Sequence, residues 1–588
     1  MNNTTKTRHA SARRAASALL SLLLALANTT AVAPQTRRGD ATPSRASSAS
    51  SWQRPRLVLF IAVDQFRYEY VERFGDLFAA NGLRRMMREG ASWANANYDH
   101  VPTETAPGHA TMLTGAWPSE TGVIGNEWYE RNAKGDGGRR VFNTADDEAR
   151  ILGGGDEESG ASPRRLLAST VGDELRLASA GRSKVIGVSV KDRGAMMPVG
   201  RNASAAYWLS AQNGAMVSSS YYFKELPAWV ARFNAQRPSD KYFGARWDRL
   251  APEAEYARRA GADDAAWERG TQGKTRNTFP HTVTGGAERP NRNFYAELPY
   301  TPFANDILVD FAKEAITNEG LGADADTDVL SVSFSANDYV GHRYGPYSHE
   351  TMDAVLRVDR QIGALLDFVD SRVGLRNTVV ALTADHGVAP IPEHSASLRL
   401  PGARVKQEEI REKIKEGLRD RLAPNDSAGR ADDYLLEYTA KNGNVYLNLE
   451  ALRRDRVSRA DAERAACEGA LRVEGMARCF TRTQLERGAI SPNDPVARRV
   501  LHGFHVLRSG DAVVVPQPFA LVVTYTADHY SPYSYDTHVP LMIMGGGVAP
   551  GRYEQAATPA DLAPTLAVLL RSETPSNATG RVLIEAIR

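Results

Sequence analysis

The chain has 588 residues, 72 Lys and Arg against 70 Asp and Glu, a formal net charge of +2, and two cysteines. Apolar residues make up 42%, near the globular average of roughly 45–50%, which excludes a wholly disordered, collagen-like or coiled-coil chain. The balanced charge, with no basic stripe interleaved with aromatics, argues against a nucleic-acid-binding module, and two cysteines cannot build a disulfide scaffold or a cysteine-rich zinc module.

Lys6, Arg8, Arg13 and Arg14 precede an apolar run, Ala15–Ala27, followed by small residues to Ala33. This is the three-part layout of a secretory signal over residues 1–33. The run is too short for the roughly 20 residues a membrane anchor needs. No later segment reaches 18 apolar residues, so the mature chain is expected to lack a membrane span and to be periplasmic or secreted. Removal of four basic residues and no acid makes the mature chain slightly acidic. In an oxidising space Cys467 and Cys479 either pair locally or stay as buried thiols. Residues 34–54, rich in Ser, Arg, Thr and Ala, read as a tether.

From residue 55 the pattern changes. Leu57–Val63 is a continuous apolar run, as expected of a strand buried on both faces. Similar runs follow at Lys184–Val190, Asp328–Phe334, Thr378–Leu382 and Val539–Met544. Helical patterns lie between them at Pro163–Ala180, Met352–Val369 and Pro559–Leu570, the last with Thr558 as N-cap. Strands alternating with helices predict an α/β fold with a doubly wound, mostly parallel sheet and helices on both faces. Residues 205–305 and 395–510 break the alternation and read as capping insertions in one domain over 55–588.

The ends of the apolar runs carry the chemistry. Asp64 ends the first; Asp338 and His342 follow the third; Asp385 and His386 follow the fourth; His538 precedes the last. Ligands of open α/β sheets bind beyond the carboxyl ends of the strands, so three Asp and three His are expected at one edge. Singly, each such residue is an ordinary turn or surface residue. Together, carboxylates and imidazoles suit Zn²⁺ or a similar divalent ion, and six of them satisfy two ions with positions left open. Asp338 and His342, four apart, share a face if that stretch is helical.

Thr105, in Pro102–Gly115, sits where a helix is expected to open, with Pro107 and Gly108 forming a turn and the helix running Gly108–Thr114. Its hydroxyl is a cap in the plain reading; facing a metal ion it becomes a nucleophile. Lys191 and Arg193 follow the second run. They are either a solvated turn or an anion grip, Arg193 bidentate and Lys191 as a point charge. Asn126 is either a turn residue or a donor to the same anion.

These stretches resemble the alkaline phosphatase superfamily, specifically the PafA-type bacterial phosphatases, relatives of the nucleotide pyrophosphatase/phosphodiesterases. The matching segments are Val63–Arg67, Thr105–Ala110, Gly125–Tyr129, Ser189–Ala195, Asn337–His342, Ala384–Gly387 and Ser531–Leu541, in order along the chain. The resemblance implies an alkaline-phosphatase-like catalytic domain from about Arg56 onward and two zinc ions. Asp64, Asp385 and His386, with the Thr105 oxygen, would hold one; Asp338, His342 and His538 would hold the other. It implies Thr105 as the nucleophile forming a phosphothreonine, with Asn126, Lys191 and Arg193 on the phosphate oxygens. The Lys191/Arg193 pair resembles the mark of the monoesterase branch, so the expected substrates are small phosphate monoesters, a diester or nucleotide pyrophosphate being the alternative. The sulfatase branch is set aside because its aldehyde-forming Cys or Ser is replaced by Thr105. Charge gives an independent reason for the monoester choice: two added cations favour a dianionic monoester over a monoanionic diester.

Overall fold

Leu57–Val63 (β1) is buried along its whole length, and its alternate side chains feed two separate cores. Leu57, Leu59, Ile61 and Val63 point to one; Val58, Phe60 and Ala62 point to the other. That is the physical content of a doubly wound sheet: a strand apolar at every position has to be covered on both faces. In this computed structural model the described residues are 53–588, apart from 132–137, 156–157, 269–277, 426–428 and 523–524. The signal predicted over 1–33 and the tether as far as residue 52 lie outside them.

The remaining strands of the main sheet, in chain order, are Ala91–Trp93 (β2), Ile151–Leu152 (β3), Val185–Ser189 (β4), Ala205–Leu209 (β5), Met216–Ser219 (β6), Asp328–Phe334 (β7) and Thr378–Thr383 (β8). A four-stranded antiparallel sheet comes next: Leu435–Thr439 (β9), Asn444–Leu447 (β10), Met476–Thr481 (β11) and Ala512–Pro516 (β12). Leu541–Gly545 (β13) and Gly551–Tyr553 (β14) return to the main sheet. Its ten strands run in the order β14-β2-β13-β8-β1-β7-β4-β5-β6-β3. The centre, β8-β1-β7-β4-β5, is parallel.

The helices that matter for the site are Thr105–Thr114 (α1), Val171–Ala178 (α2), Asp192–Met196 (α3), Phe303–Glu319 (α4), Ala336–Tyr344 (α5), His349–Arg372 (α6) and Leu562–Leu570. Those of α4 and α6 bury their apolar stripes on one face of the sheet; α1, α2 and Leu562–Leu570 cover the other.

Three expectations change. The helix predicted over Pro163–Ala180 starts at Val171, because Thr170 and Asp173 close a capping box there. The helix predicted from Gly108 starts at Thr105, since a proline is tolerated in the first turn. Residues 205–219 are not part of an insertion: Ala205–Leu209 and Met216–Ser219 are strands of the main sheet. The last apolar run is a strand, but β13 runs antiparallel to β8. Cys467 and Cys479 form a disulfide at the helix Arg459–Ala470 and β11, inside the cap's own apolar core.

Candidate active site

Four segments after parallel strands, and the loop before β13 that carries His529, deliver side chains to one edge of the sheet. Asp64 follows β1, Lys191 and Arg193 follow β4, Asp338 and His342 lie on α5 after β7, and Asp385 and His386 lie on the irregular turn after β8. Two groups of ligand-type side chains result: Asp64, Asp385 and His386; and Asp338, His342 and His529. Asp64, Asp385 and His386 are wholly buried, and Thr105 is almost so.

In the first group, His386 Nε2 lies 3.6 Å from both Asp64 Oδ1 and Asp385 Oδ2, beyond hydrogen-bond range. His386 Nδ1 is 2.8 Å from the Gly387 carbonyl, which leaves Nε2 as the free lone pair. Buried Asp64 Oδ1 and His386 Nε2 have no hydrogen-bond partner. In the second group, Asp338 Oδ1 lies 3.2 Å from His342 Nε2 and 3.6 Å from His529 Nε2. Both imidazoles are aimed by backbone carbonyls: His342 Nδ1 by Ala527 at 2.8 Å and His529 Nδ1 by Thr103 at 2.6 Å. A carbonyl on Nδ1 selects the tautomer that a metal ligand needs.

The electrostatics are those of a site short of positive charge. Burial and the neighbouring Asp385 push the Asp64 carboxyl well above its ordinary range. Burial pushes His386 down to about 3, so its imidazole is neutral. Burial acts the same way on His529, but the nearby Asp338 carboxylate and the charge of Asp528 outweigh it and raise the imidazole to about 9. Three buried carboxylates, of which Asp64 and Asp385 keep oxygens without a hydrogen-bond partner, fit two divalent cations.

Lys191 sits between the two groups. Its Nζ lies 2.7 Å from Asp64 Oδ2, donates to Asp338 Oδ2, and reaches Thr105 Oγ1 at 3.3 Å. Burial opposes its charge, but Asp338 and Asp64 outweigh burial and keep it protonated. Arg193 lies further out: its side chain is a quarter exposed, and Nη1 is 3.7 Å from Asp192. Asn126 Oδ1 accepts from the Ala106 N–H at 2.9 Å, bracing the first turn of α1 beside Thr105. Thr105 at the first position of α1 lies where unpaired N–H groups favour an anion.

One predicted ligand is corrected. His538 is not in either group. Because β13 is antiparallel, its start does lie at the same edge, but His538 Nε2 is 2.9 Å from the Ala94 carbonyl and its ring stacks on Tyr68 at 4.5 Å. The nitrogen that would ligate is spent on the backbone. His529 occupies the position instead. A signal for it was present: Thr383-Ala384-Asp385-His386 recurs as Thr526-Ala527-Asp528-His529.

Two more residues escaped the sequence reading. Gln65 joins the groups, its N–H donating to Asp385 Oδ1 at 3.0 Å and its Nε2 to Asp338 Oδ1 at 2.7 Å; it adopts a left-handed backbone, φ 59°, to do so. His109 contacts the Thr105 carbonyl through Nδ1 at 2.9 Å and Ser333 Oγ through Nε2 at 2.7 Å, and its Nδ1 is 3.1 Å from Asp385 Oδ2. It ties the helix to the turn that carries Asp385 and His386.

The model for type I phosphodiesterase / nucleotide pyrophosphatase matches residues 58–536. Alkaline phosphatase PhoV of Synechococcus elongatus is 34% identical over 536 residues, spanning 91% of this chain and 93% of its own. A Myroides odoratus protein named calcium-transporting ATPase is 35% identical over 540 residues, spanning 91% and 95%. Alkaline phosphatase PafA of Elizabethkingia meningoseptica is 31% identical over 546 residues, spanning 92% and 96%. A crystal structure of wild-type PafA superimposes with a TM-score of 0.82 at 31% identity, over 91% of this chain and 99% of that one. The chain therefore belongs to the type I phosphodiesterase / nucleotide pyrophosphatase family and, within it, matches bacterial alkaline phosphatases over most of its length.

Proposed function

We propose that this protein is an alkaline phosphatase that hydrolyses phosphate monoesters, holds two zinc ions, and works through a phosphothreonine on Thr105. The observation that carries the reading is the pairing of two three-residue ligand groups around Lys191, with Thr105 Oγ1 3.3 Å from the same ammonium. Asp64, Asp385 and His386 would hold one ion beside Thr105, and Asp338, His342 and His529 the other. When bound, the ions supply Lewis acidity that lowers the pKa of the Thr105 hydroxyl and offsets charge on the leaving oxygen.

The chain's own residues do the rest. Thr105 Oγ1 forms the bond to phosphorus as the bond to the leaving oxygen breaks on the opposite side. Lys191 and the N-terminus of α1 stabilise the alkoxide and the incoming phosphoryl group. Arg193 and the NH2 of Asn126 bind the non-bridging oxygens. Water then hydrolyses the phosphothreonine, releasing phosphate and restoring Thr105. Positioning and charge carry most of phosphoryl transfer, and none of the site's imidazoles is needed as a general base.

The family model's description includes phosphodiesterase, so the test compares kcat/KM for an aryl phosphate with that for the matching diester, on a preparation whose metal content is measured. Strong preference for the monoester with about two zinc per chain is the expected result. Preference for the diester overturns it. Export is proposed too. The Cys467–Cys479 disulfide suits an oxidising compartment, and among the described residues no helix is long and apolar enough to cross a membrane.

A further inference from the structure

The cap reaches the active site through one hairpin. Between β9 and β10 the chain turns at Ala440–Gly443, and this tip is seated on the segment that carries Asn126. Asn442 Nδ2 donates to the Glu127 carbonyl at 2.9 Å, while Asn442 Oδ1 accepts from Thr439 Oγ1 and from the Asn444 N–H at 3.3 Å. The approach is close enough that a Cβ on Gly125 would lie 2.9 Å from Asn442 Nδ2 and 3.0 Å from Glu104 Oε2. Gly443 turns with φ +65° against the Val514 carbonyl. The tip is therefore held from both sides.

This seating presents Lys441. Its side chain is half-buried, and its ammonium lies 5.2 Å from the centre of the Tyr525 ring. The same ring is 5.2 Å from His342, a member of the second ligand group. Among the described residues Lys441 makes no hydrogen bond and no ion pair. Asp528 and Glu104 face it as acids and Arg193 as a base, but neither carboxylate closes on it. One oxygen of each is engaged, Asp528 Oδ1 by the His529 N–H at 3.0 Å and Glu104 Oε2 by the Asn126 N–H at 2.9 Å, while Asp528 Oδ2 and Glu104 Oε1 are buried without a hydrogen bond. A lysine ammonium kept partly out of water beside an arginine, without its own ion pair, is poised for an anion.

The direction follows from in-line geometry. Thr105 attacks from the side of Asp64, Asp385 and His386, so the leaving group departs on the side of Asp338, His342 and His529. Tyr525 and Lys441 stand there. We infer that Lys441 contacts the leaving group and selects phosphate monoesters whose leaving group is itself anionic. The inference rests on the phosphomonoesterase reading, which supplies the direction of departure.

The test uses the intact zinc-loaded protein with phenyl phosphate and 3-carboxyphenyl phosphate, following phosphate release. The readout is the ratio of kcat/KM for the carboxylated over the neutral ester. Lys441→Met is expected to lower that ratio about tenfold, Lys441→Arg to keep it, and Lys441→Glu to lower it further. A ratio unchanged in Lys441→Met and Lys441→Glu, with both variants folded and turning over phenyl phosphate, overturns the inference alone. Failure of the unaltered protein to release phosphate from phenyl phosphate overturns the phosphomonoesterase reading, and this inference with it.

Discussion

His529 lies flat on His386, with ring centroids 3.6 Å apart and an angle of 18° between the planes. The two ligand groups thus share a wall, and each ring is aimed through its own Nδ1 by a different carbonyl. Under the proposed two-zinc reading, removing His529 takes away a ligand and, with it, the face on which His386 rests. His529→Ala should lower kcat/KM by at least about 100-fold and reduce bound zinc. His538→Ala should keep full zinc content, because its Nε2 is committed to Ala94. Zinc analysis of both variants checks this; equal metal loss in the two would refute the ligand assignment.

Thr105→Ala should lose at least about 10³-fold in turnover while keeping its zinc and its melting temperature. Thr105→Ser should retain measurable activity, since the hydroxyl is kept. Rapid-quench detection of a phosphorylated residue at position 105 is the direct check, and wild-type-like turnover in Thr105→Ala would remove the nucleophile role.

Lys191 and Arg193 should not behave alike. Lys191 neutralises Asp64 and Asp338, so Lys191→Ala should impair monoester and diester hydrolysis together. Arg193 touches neither carboxylate and lies further out, so Arg193→Ala should cost the monoester about 10–100-fold and the diester much less. Parallel losses in Arg193→Ala would mean that its charge is not what selects a dianion.

Gly108 is in contact with the turn that carries Asp385 and His386: a Cβ there would lie 2.4 Å from the Asp385 carbonyl oxygen and 2.7 Å from Asp385 Cβ. Gly108→Ala must push α1 away from Asp385, separating Thr105 from the first ligand group. Shifts of about 1 Å cost on the order of 10²-fold. The expected signature is a fall in kcat at near-normal zinc content; unchanged kcat would show that the contact is not needed.

Asp99 ties the cap to the sheet. Arg498 grips its carboxylate at 2.9 Å and its backbone carbonyl meets His502. Burial raises its pKa, but hydrogen bonds from His502 and Arg498 outweigh burial and lower it to about 2. A folded-state pKa below the unfolded value gives stability that is present above about pH 4 and is lost as pH falls towards 2. After discounting for the exposed Arg498, Asp99→Asn should destabilise by about 1 kcal/mol at pH 7. Denaturation midpoints at pH 7 and pH 2 should show that gap closing with acid; a pH-independent gap would refute the assignment.

Much of this was written in local patterns. Mainly apolar runs marked β1 and β7 to the residue, because a strand covered on both faces is apolar at most positions; β1 has no polar side chain, and β7 buries only Asp328 and two serines among its apolar residues. Asp64, Asp385 and His386 were legible for the same reason: polar residues that abruptly end such runs must sit at the sheet edge. The four-residue spacing of Asp338 and His342 was enough to put both on one face of α5.

Lys441 left no mark in the sequence and His529 only the recurring Thr-Ala-Asp-His stretch, and the reason neither could be placed is common to both. Each sits on a segment outside the strand-and-helix alternation, so nothing local says where it points. His538 precedes an apolar run as a ligand should, but a backbone carbonyl at Ala94 claims its nitrogen, while one at Thr103 aims His529 inward. Local pattern alone gave the apolar strands β1, β4, β7, β8 and β13 and the acids that crowd their edge, since burial acts residue by residue; that β5 and β6 also join the sheet came from the tertiary structure. Which histidine completes the second group, and which cation the cap brings to it, was decided only in three dimensions, where carbonyls distant in sequence orient each ring and a glycine at 125 lets a hairpin approach.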